Sequence, residues 1–336
     1  MNWKWWNRFT KLFRPQITTL VGVDFSQGAV KVAEISQAGG KPCLRTLAIV
    51  PVPTAACLES LEESKEPGTE MNGQALKETL AKALAVSGVR SKHAVLAVGG
   101  LHSFMREITF PKLLPEELTE AIKWDIPKYV PYEPDSYEFD YAITGQDAET
   151  GDLRVLIVAA PKDIVGQLIQ IVKDSGLTPL AVDMEAMAIY RTMSGAENSL
   201  VLDIGSSHTQ ITLYQQGNPV LNRVVQGGCP ESKAGDEKVM DCLDDVLTEL
   251  AQEVRRTVQF FTQQNKGIII DKIVVTGTKE MKETVNLLKM KVDLPVTGHN
   301  PLAGLAVNPS IAADYAQKIG PQLAVAVGLA MRGDEL

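Results

Sequence analysis

Three observations in the sequence predict an α/β protein of two similar lobes, the first of them interrupted by a smaller α+β subdomain. Ser199 to Tyr214 reads as a buried apolar strand, Leu200 to Leu202, then Asp203, a tight turn at Gly205 to Ser207 and an alternating strand from Thr209. The same order of residues stands far upstream, where Leu20 to Val23 leads into Asp24, small turn residues and the alternating strand Val30 to Glu34. A third strand, Ile273 to Thr276, runs into Gly277 and Thr278, and the rhythm of the chain changes between His93 and Val182. One such hairpin is an ordinary turn signal. Two copies that each open a lobe imply duplication.

Taken in order, the chain begins with Met1 to Arg14, which has no acidic residue and holds three of the four tryptophans. At 100° per residue Trp5, Trp6, Phe9, Leu12 and Phe13 share one helical face, and Lys4, Arg8, Lys11 and Arg14 share the other. This pattern suits a helix lying on an anionic membrane surface, or one docking on a protein. Leu44 to Val50 is a further strand, stopped by Pro51 and Pro53, and the Glu-rich stretch 58–70 reads as a solvated connection. Leu76, Leu80, Ala83 and Leu84 form the stripe of a helix that ends at Gly88.

Within 93–183 the pattern gives strands at Ala94 to Val98, Met105 to Phe110, Tyr137 to Thr144 and Leu153 to Ala159. It also gives helices from Pro115 and over Lys162 to Ser175. The second lobe then carries a long helix between Gly235 and Gln264, on which Glu253 and Arg256 share a face as an exposed ion pair would. A final helix, Leu323 to Arg332, is small on one face and therefore packs closely. The expected organisation is a basic amphipathic helix at 1–16, a first lobe at 17–92 completed by 184–198 and 310–332, an inserted subdomain at 93–183, and a second lobe at 199–309.

Composition narrows the function. The 336 residues are 45% hydrophobic, enough for sizeable cores, and the net charge of −8 argues against nucleic acid as a partner. The four cysteines have no zinc spacing and read as thiols of a reducing compartment, the cytoplasm. The first 16 residues lack the apolar core of a secretory signal, and the late apolar run Leu323 to Met331 is too short to span a bilayer. A glycine and two serines beside Asp203 offer N–H groups and hydroxyls to a phosphate, and the carboxylate itself suits a hydrated divalent cation.

Two Asp hairpins, a Gly-bearing third strand end and an insertion resemble the actin-like ATPase superfamily, whose two-lobed fold duplicates a ribonuclease H-like unit. Within it, the stretches Ala121 to Tyr132, Tyr137 to Tyr141, Val182 to Arg191, Glu253 to Phe261 and Val325 to Arg332 resemble the PilM family of cytoplasmic type IV pilus assembly proteins. The resemblance covers nearly the whole chain. It implies ATP and Mg²⁺ as cofactors, with Asp24 and Asp203 holding the metal through water. Ser26, Gln27, Lys31, Gly205, Ser206 and Ser207 would surround the phosphates, and Glu253 and Arg256 would flank the ribose and adenine beside Gly277 and Thr278. Glu185 falls where actin-like relatives place the group that orients the attacking water; it also reads as a carboxylate opening a helix. Asp203 and Glu185 are thus the expected catalytic pair of a slow ATPase, if turnover occurs at all.

Two positions depart from the pattern, Ser26 and Thr278, each putting a side chain where glycine is usual. The implied partner is the cytoplasmic tail of a PilN-like inner-membrane protein, held in a groove beside the insertion. The membrane surface is expected at residues 1–14, with homo-oligomers compatible with the family, so that the protein is cytoplasmic and peripheral on the cytoplasmic membrane. Two other functions compete. A small-molecule kinase of the superfamily needs a second acid or base cluster between the lobes, and His93, His102, His208 and His299 are scattered. An FtsA-like polymerising division protein typically carries its amphipathic helix at the C-terminus, where this chain reads Arg332 to Leu336.

Overall fold

In this computed structural model, residues 17–26, 28–37, 41–53, 69–193, 198–228, 237–264 and 268–335 are described. The expectations for residues 1–16, for Gln27 and for most of the acidic connection lie outside them.

The first lobe is built on strands β1 (Thr19–Ser26), β2 (Ala29–Ser36) and β3 (Cys43–Pro51), followed by helix α1 (Thr69–Ser87) and strand β4 (His93–Val98). The chain then makes β5 (Phe104–Phe110), α2 (Pro115–Asp125), β6 (Tyr137–Gln146) and β7 (Leu153–Pro161). It returns through α3 (Lys162–Asp174), β8 (Thr178–Met184) and α4 (Glu185–Arg191). The second lobe comprises β9 (Asn198–Ile204), β10 (His208–Gln215), β11 (Asn218–Gln226), α5 (Glu237–Gln264), β12 (Lys272–Thr276), α6 (Met281–Lys289) and β13 (Val296–Gly298). After β14 (Ala306–Val307) the chain ends in α7 (Ala313–Ile319) and α8 (Ala324–Ala330).

Strand order makes the duplication explicit. In the first sheet β3, β2 and β1 run antiparallel, and β4 and β8 continue parallel to β1. In the second, β11, β10 and β9 run antiparallel, and β12 and β13 continue parallel to β9. Each lobe thus has one central strand where the sheet changes from antiparallel to parallel. Asp24 and Asp203 sit near the carboxyl ends of these two strands, the end at which α/β sheets place ligands.

The insertion is smaller than the sequence predicts. β4 and β8, expected within it, hydrogen-bond into the first lobe's sheet, and α3 buries Ile164, Leu168 and Val172 in that lobe's core with Leu76 and Leu80 of α1. What leaves the sheet is β5, α2, β6 and β7, which close their own core around Leu118, Ile122, Val155 and Ile157. Their strands extend the second lobe's sheet, joined to β11 at the pair Leu221–Arg106. A strand's alternation reports that it is half buried; it does not report which sheet it joins.

The terminal helices close the first lobe from behind. α8 buries every residue from Ala324 to Ala330 against β1 and α4. Side chains of both lobes, among them Leu20, Val95, Val201, Tyr214, Val274 and Leu329, meet in a shared core beneath the cleft. Among the described residues no helix is long and apolar enough to cross a membrane.

Candidate functional site

Two hairpins face one another across the top of that core. In the first, β1 and β2 pair so that Asp24 stands opposite Lys31, and Gly28 turns the chain with φ 74°. In the second, β9 and β10 pair so that Asp203 stands opposite Gln210, and Gly205 N–H closes the turn on the His208 carbonyl at 2.9 Å. A side chain on Gly28 would reach 3.4 Å from Ser206 Oγ, so the two tips are neighbours. Lys31 and Gln210 thus occupy equivalent places.

Asp24 is 1% exposed, neither carboxylate oxygen accepts a hydrogen bond from the described residues, and Lys31 Nζ lies 3.7 Å from Oδ2. Burial pushes its carboxyl up to about 6; Lys31 opposes that and the charge of Asp203 adds to it. Glu185, the first residue of α4, is pushed up to about 8 by burial and then by Asp24 and Asp203, against Lys31 and the N–H of Gly100. Burial raises Asp203 as well, with Lys31 opposing. Three carboxylates and one lysine therefore share one electrostatic field.

Glycines make the room. A Cβ on Gly99 would run into the Glu185 carboxyl. One on Gly277, whose φ of 87° already favours glycine, would collide with Asp203 and come within 2.8 Å of the Ile204 amide nitrogen. Thr278 is buried, and its hydroxyl accepts the Glu280 N–H at 3.2 Å, so this departure from the family pattern is turned into the fold. Ser26 Oγ donates to the Ala29 carbonyl at 3.3 Å at the hairpin end, and Ser207 is exposed with Oγ 3.0 Å from His208 Nδ1. Glu253 and Arg256 bind one another at 2.5 Å, and Glu253 also meets Arg223 at 3.4 Å; these contacts tie the pair to β11 and not to the carboxylates.

The site gathers Asp24, Lys31, Glu185, Asp203, Gly205, Ser206 and Gly277. It also includes residues that the motifs did not point to. Gln210 is 5% exposed, and its Oε1 accepts the Gly100 N–H at 3.3 Å, tying the second hairpin to the β4–β5 connection. The signal for it is the offset of Lys31 from Asp24, which Gln210 repeats from Asp203.

Among the described residues no three metal-ligating side chains lie close enough to chelate a bare ion. Buried Asp24 oxygens that accept no hydrogen bond from the described residues, beside a second raised carboxylate, would suit a hydrated divalent cation. The glycine-lined approach fits a phosphate chain.

A second concavity lies behind Glu185. Phe139 and Asp140 of β6, Val158 of β7, Val182 of β8 and Met187 of α4 line a groove with a cavity of about 170 Å³ between the insertion and the first lobe. At its floor Asp183 takes Arg191 at 2.7 Å and Arg332 at 3.3 Å. Burial raises the Asp140 carboxyl beside it, opposed by the Tyr141 N–H and by Arg332.

Comparison with known proteins bears on both features. The family model of type IV pilus assembly protein PilM matches residues 22–232 and 229–334. The solved structure of a PilM-PilN type IV pilus biogenesis complex is similar over 96% of this chain and 100% of that chain, at 26% identity and a TM-score of 0.79. Ethanolamine utilization protein EutJ from Carboxydothermus hydrogenoformans is similar in fold, at 14% identity and a TM-score of 0.52 over 95% of this chain and 90% of that one.

Proposed function

Because this chain belongs to the family of type IV pilus assembly protein PilM and has the actin-like ATPase fold, we propose that it is a nucleotide-binding scaffold that holds the cytoplasmic tail of a PilN-like membrane protein. The observation that carries this is the similarity, end to end, to a protein solved with such a partner, together with an open apolar groove beside the insertion. Residues 1–14 then attach the scaffold to the cytoplasmic membrane surface, as their aromatic and basic faces suggest.

Asp24 and Asp203 would hold Mg²⁺ through water, Lys31 and the Gly205–Ser207 turn would take the phosphates of ATP, and Gly277 would lie beside the ribose and adenine. When bound, the cation neutralises phosphate charge and polarises the terminal phosphoryl group. The chain's own residues do the rest. Glu185, with its carboxyl against Gly99, would accept a proton from water once it is ionised, and Gln210 accepts the Gly100 N–H that faces it. Lys31 balances part of the acidic field. A kinase reading would need a further acid or base cluster between the lobes. A scaffold needs only occupancy.

Calorimetry on two variants tests the two sites separately. Phe139→Asp places a charge in the groove and abolishes binding of a PilN-like tail peptide while Mg-ATP still binds; Asp203→Ala does the reverse. Tail binding unchanged in a folded Phe139→Asp protein would put the partner site elsewhere, and equal Mg-ATP heats in Asp203→Ala and wild type would discard the nucleotide site.

A further inference from the structure

At the end of the first lobe opposite the carboxylates, a cavity of about 940 Å³ opens between the starts of β1 and β3, the end of β2 and the α1–β4 connection. Its wall is fixed by hydrogen bonds that leave no slack. Glu34, 4% exposed, accepts the N–H groups of Arg90 and Ser91 on Oε1 at 2.9 and 2.7 Å, and Ser91 Oγ donates to the Thr19 carbonyl at 2.9 Å. The Thr46 hydroxyl donates to the Ser87 carbonyl. Glu34 is the single acid of the lining among the described residues, and its charge is spent on those amides.

The rim is cationic. Arg45 and Arg90 are exposed lining residues, and neither guanidinium takes part in an ion pair among the described residues. His93 joins them in the lining, and the exposed Lys41 and Lys92 flank the same ends of β3 and β4. Four constant cations thus crowd one end of a lobe in a protein whose net charge is −8. Unpaired arginines beside hydroxyls are the donor set for phosphate oxygens.

What phosphate this is follows from the chain itself. Ile17 and Thr18 line the cavity, and the residues immediately before them in the sequence carry Lys4, Arg8, Lys11, Arg14 and three tryptophans. β1 runs away from this end, so Asp24 lies about 17 Å farther along the strand and the groove, at the carboxyl end of β8, lies on that far side too. We propose that this end of the first lobe rests on an anionic phospholipid leaflet, with the cavity taking a headgroup phosphate between Arg45 and Arg90. The inference extends the reading of residues 1–14 as a membrane attachment, adds a structured contact to it and sets the orientation. The nucleotide cleft and the partner groove face the cytoplasm.

Co-sedimentation of the full chain with vesicles of phosphatidylglycerol and phosphatidylcholine tests it. Arg45→Glu combined with Arg90→Glu should lower the partition coefficient at least about 25-fold, the loss of each cation near an anionic leaflet removing a factor of about five and each glutamate adding repulsion, and should flatten its salt dependence. Mg-ATP binding, retained, shows that the variant is folded. If the double variant sediments like wild type while Phe9→Asp is lost from the pellet, the N-terminal segment alone attaches the protein and the inference is overturned. If neither change matters, the membrane reading of residues 1–14 falls with it. A calorimetric heat with glycerol phosphate that requires both arginines, with vesicle binding unaltered, would make this a site for a soluble phosphate instead and overturn the lipid.

Discussion

Asp24, Asp203 and Glu185 cannot all be ionised at little cost with Lys31 as their shared cation, and this shapes how the protein responds to pH. Glu185 has a folded pKa of about 8 against an ordinary 4.5, so between those values the folded state carries a proton that the unfolded state lacks. Its stabilising contribution is complete below 4.5 and is lost as pH rises through 8; Asp24 acts with the same sign between 3.8 and about 6. Glu185→Gln removes the stronger of these two pH dependences. Thermal unfolding followed from pH 5 to pH 9 should show the variant gaining on wild type as pH rises, by at least about 1 kcal/mol at the alkaline end, and parallel curves would remove the shared field. Any turnover that uses Glu185 as a base rises toward pH 8 and is absent in the variant. The two aspartates and Gly277 were legible in the sequence because a carboxylate or glycine ending an apolar strand is a local pattern. Gly99 was not, since its role exists only once the β4–β5 connection comes against Glu185, and Gln210 shows in the sequence only through its offset from Asp203, its bond to Gly100 being made by the fold.

At the scale of elements, the hairpins and the closely packed last helix follow from alternation and residue size. The sequence could not show which sheet each strand of 93–183 joins, because the apolar run Ala94 to Val98 of β4 would be as apolar in either. For that reason a deletion of the expected insertion, 93–183, would not isolate it: it removes β4 and β8 from the first sheet along with the groove. α8 offers a sharper test of its packing. A Cβ on Gly328 would strike the Ala188 carbonyl of α4, and one on Gly22 of β1 would strike the Ala326 carbonyl of α8, so the helix is held by backbone contacts on two sides. Backbone cannot move aside as a flexible side chain can. Gly328→Ala therefore overpacks the junction and should cost about 3 kcal/mol in urea unfolding, despite alanine's better helix propensity; a loss below about 1 kcal/mol would show that α4 and α8 slide apart freely.

The molecule as a whole places its two concavities back to back on three consecutive residues. Asp183 holds Arg191 and Arg332 at the floor of the groove, Met184 lines that groove, and Glu185 turns to the carboxylates of the cleft. The insertion that forms the groove's other wall is joined to the second lobe at the residue pair Leu221–Arg106, while Gln210 of the second lobe binds the Gly100 amide where the insertion begins. A tail peptide that wedges the groove must therefore press on the β8–α4 junction and on the connection between lobes. Mg-ATP held at Asp24 and Asp203, as proposed, would press on the same parts from the other side. Two ligands that bias one element are coupled, and the coupling is reciprocal. Titrating peptide in the presence and absence of Mg-ATP, and Mg-ATP with and without peptide, should give affinity changes of equal factor, about fivefold or more. Asp183→Asn weakens the floor's hold on Arg191 and Arg332 and should reduce that factor. Identical affinities in all four titrations would mean that the junction is rigid and that the scaffold reads its partner and its nucleotide independently.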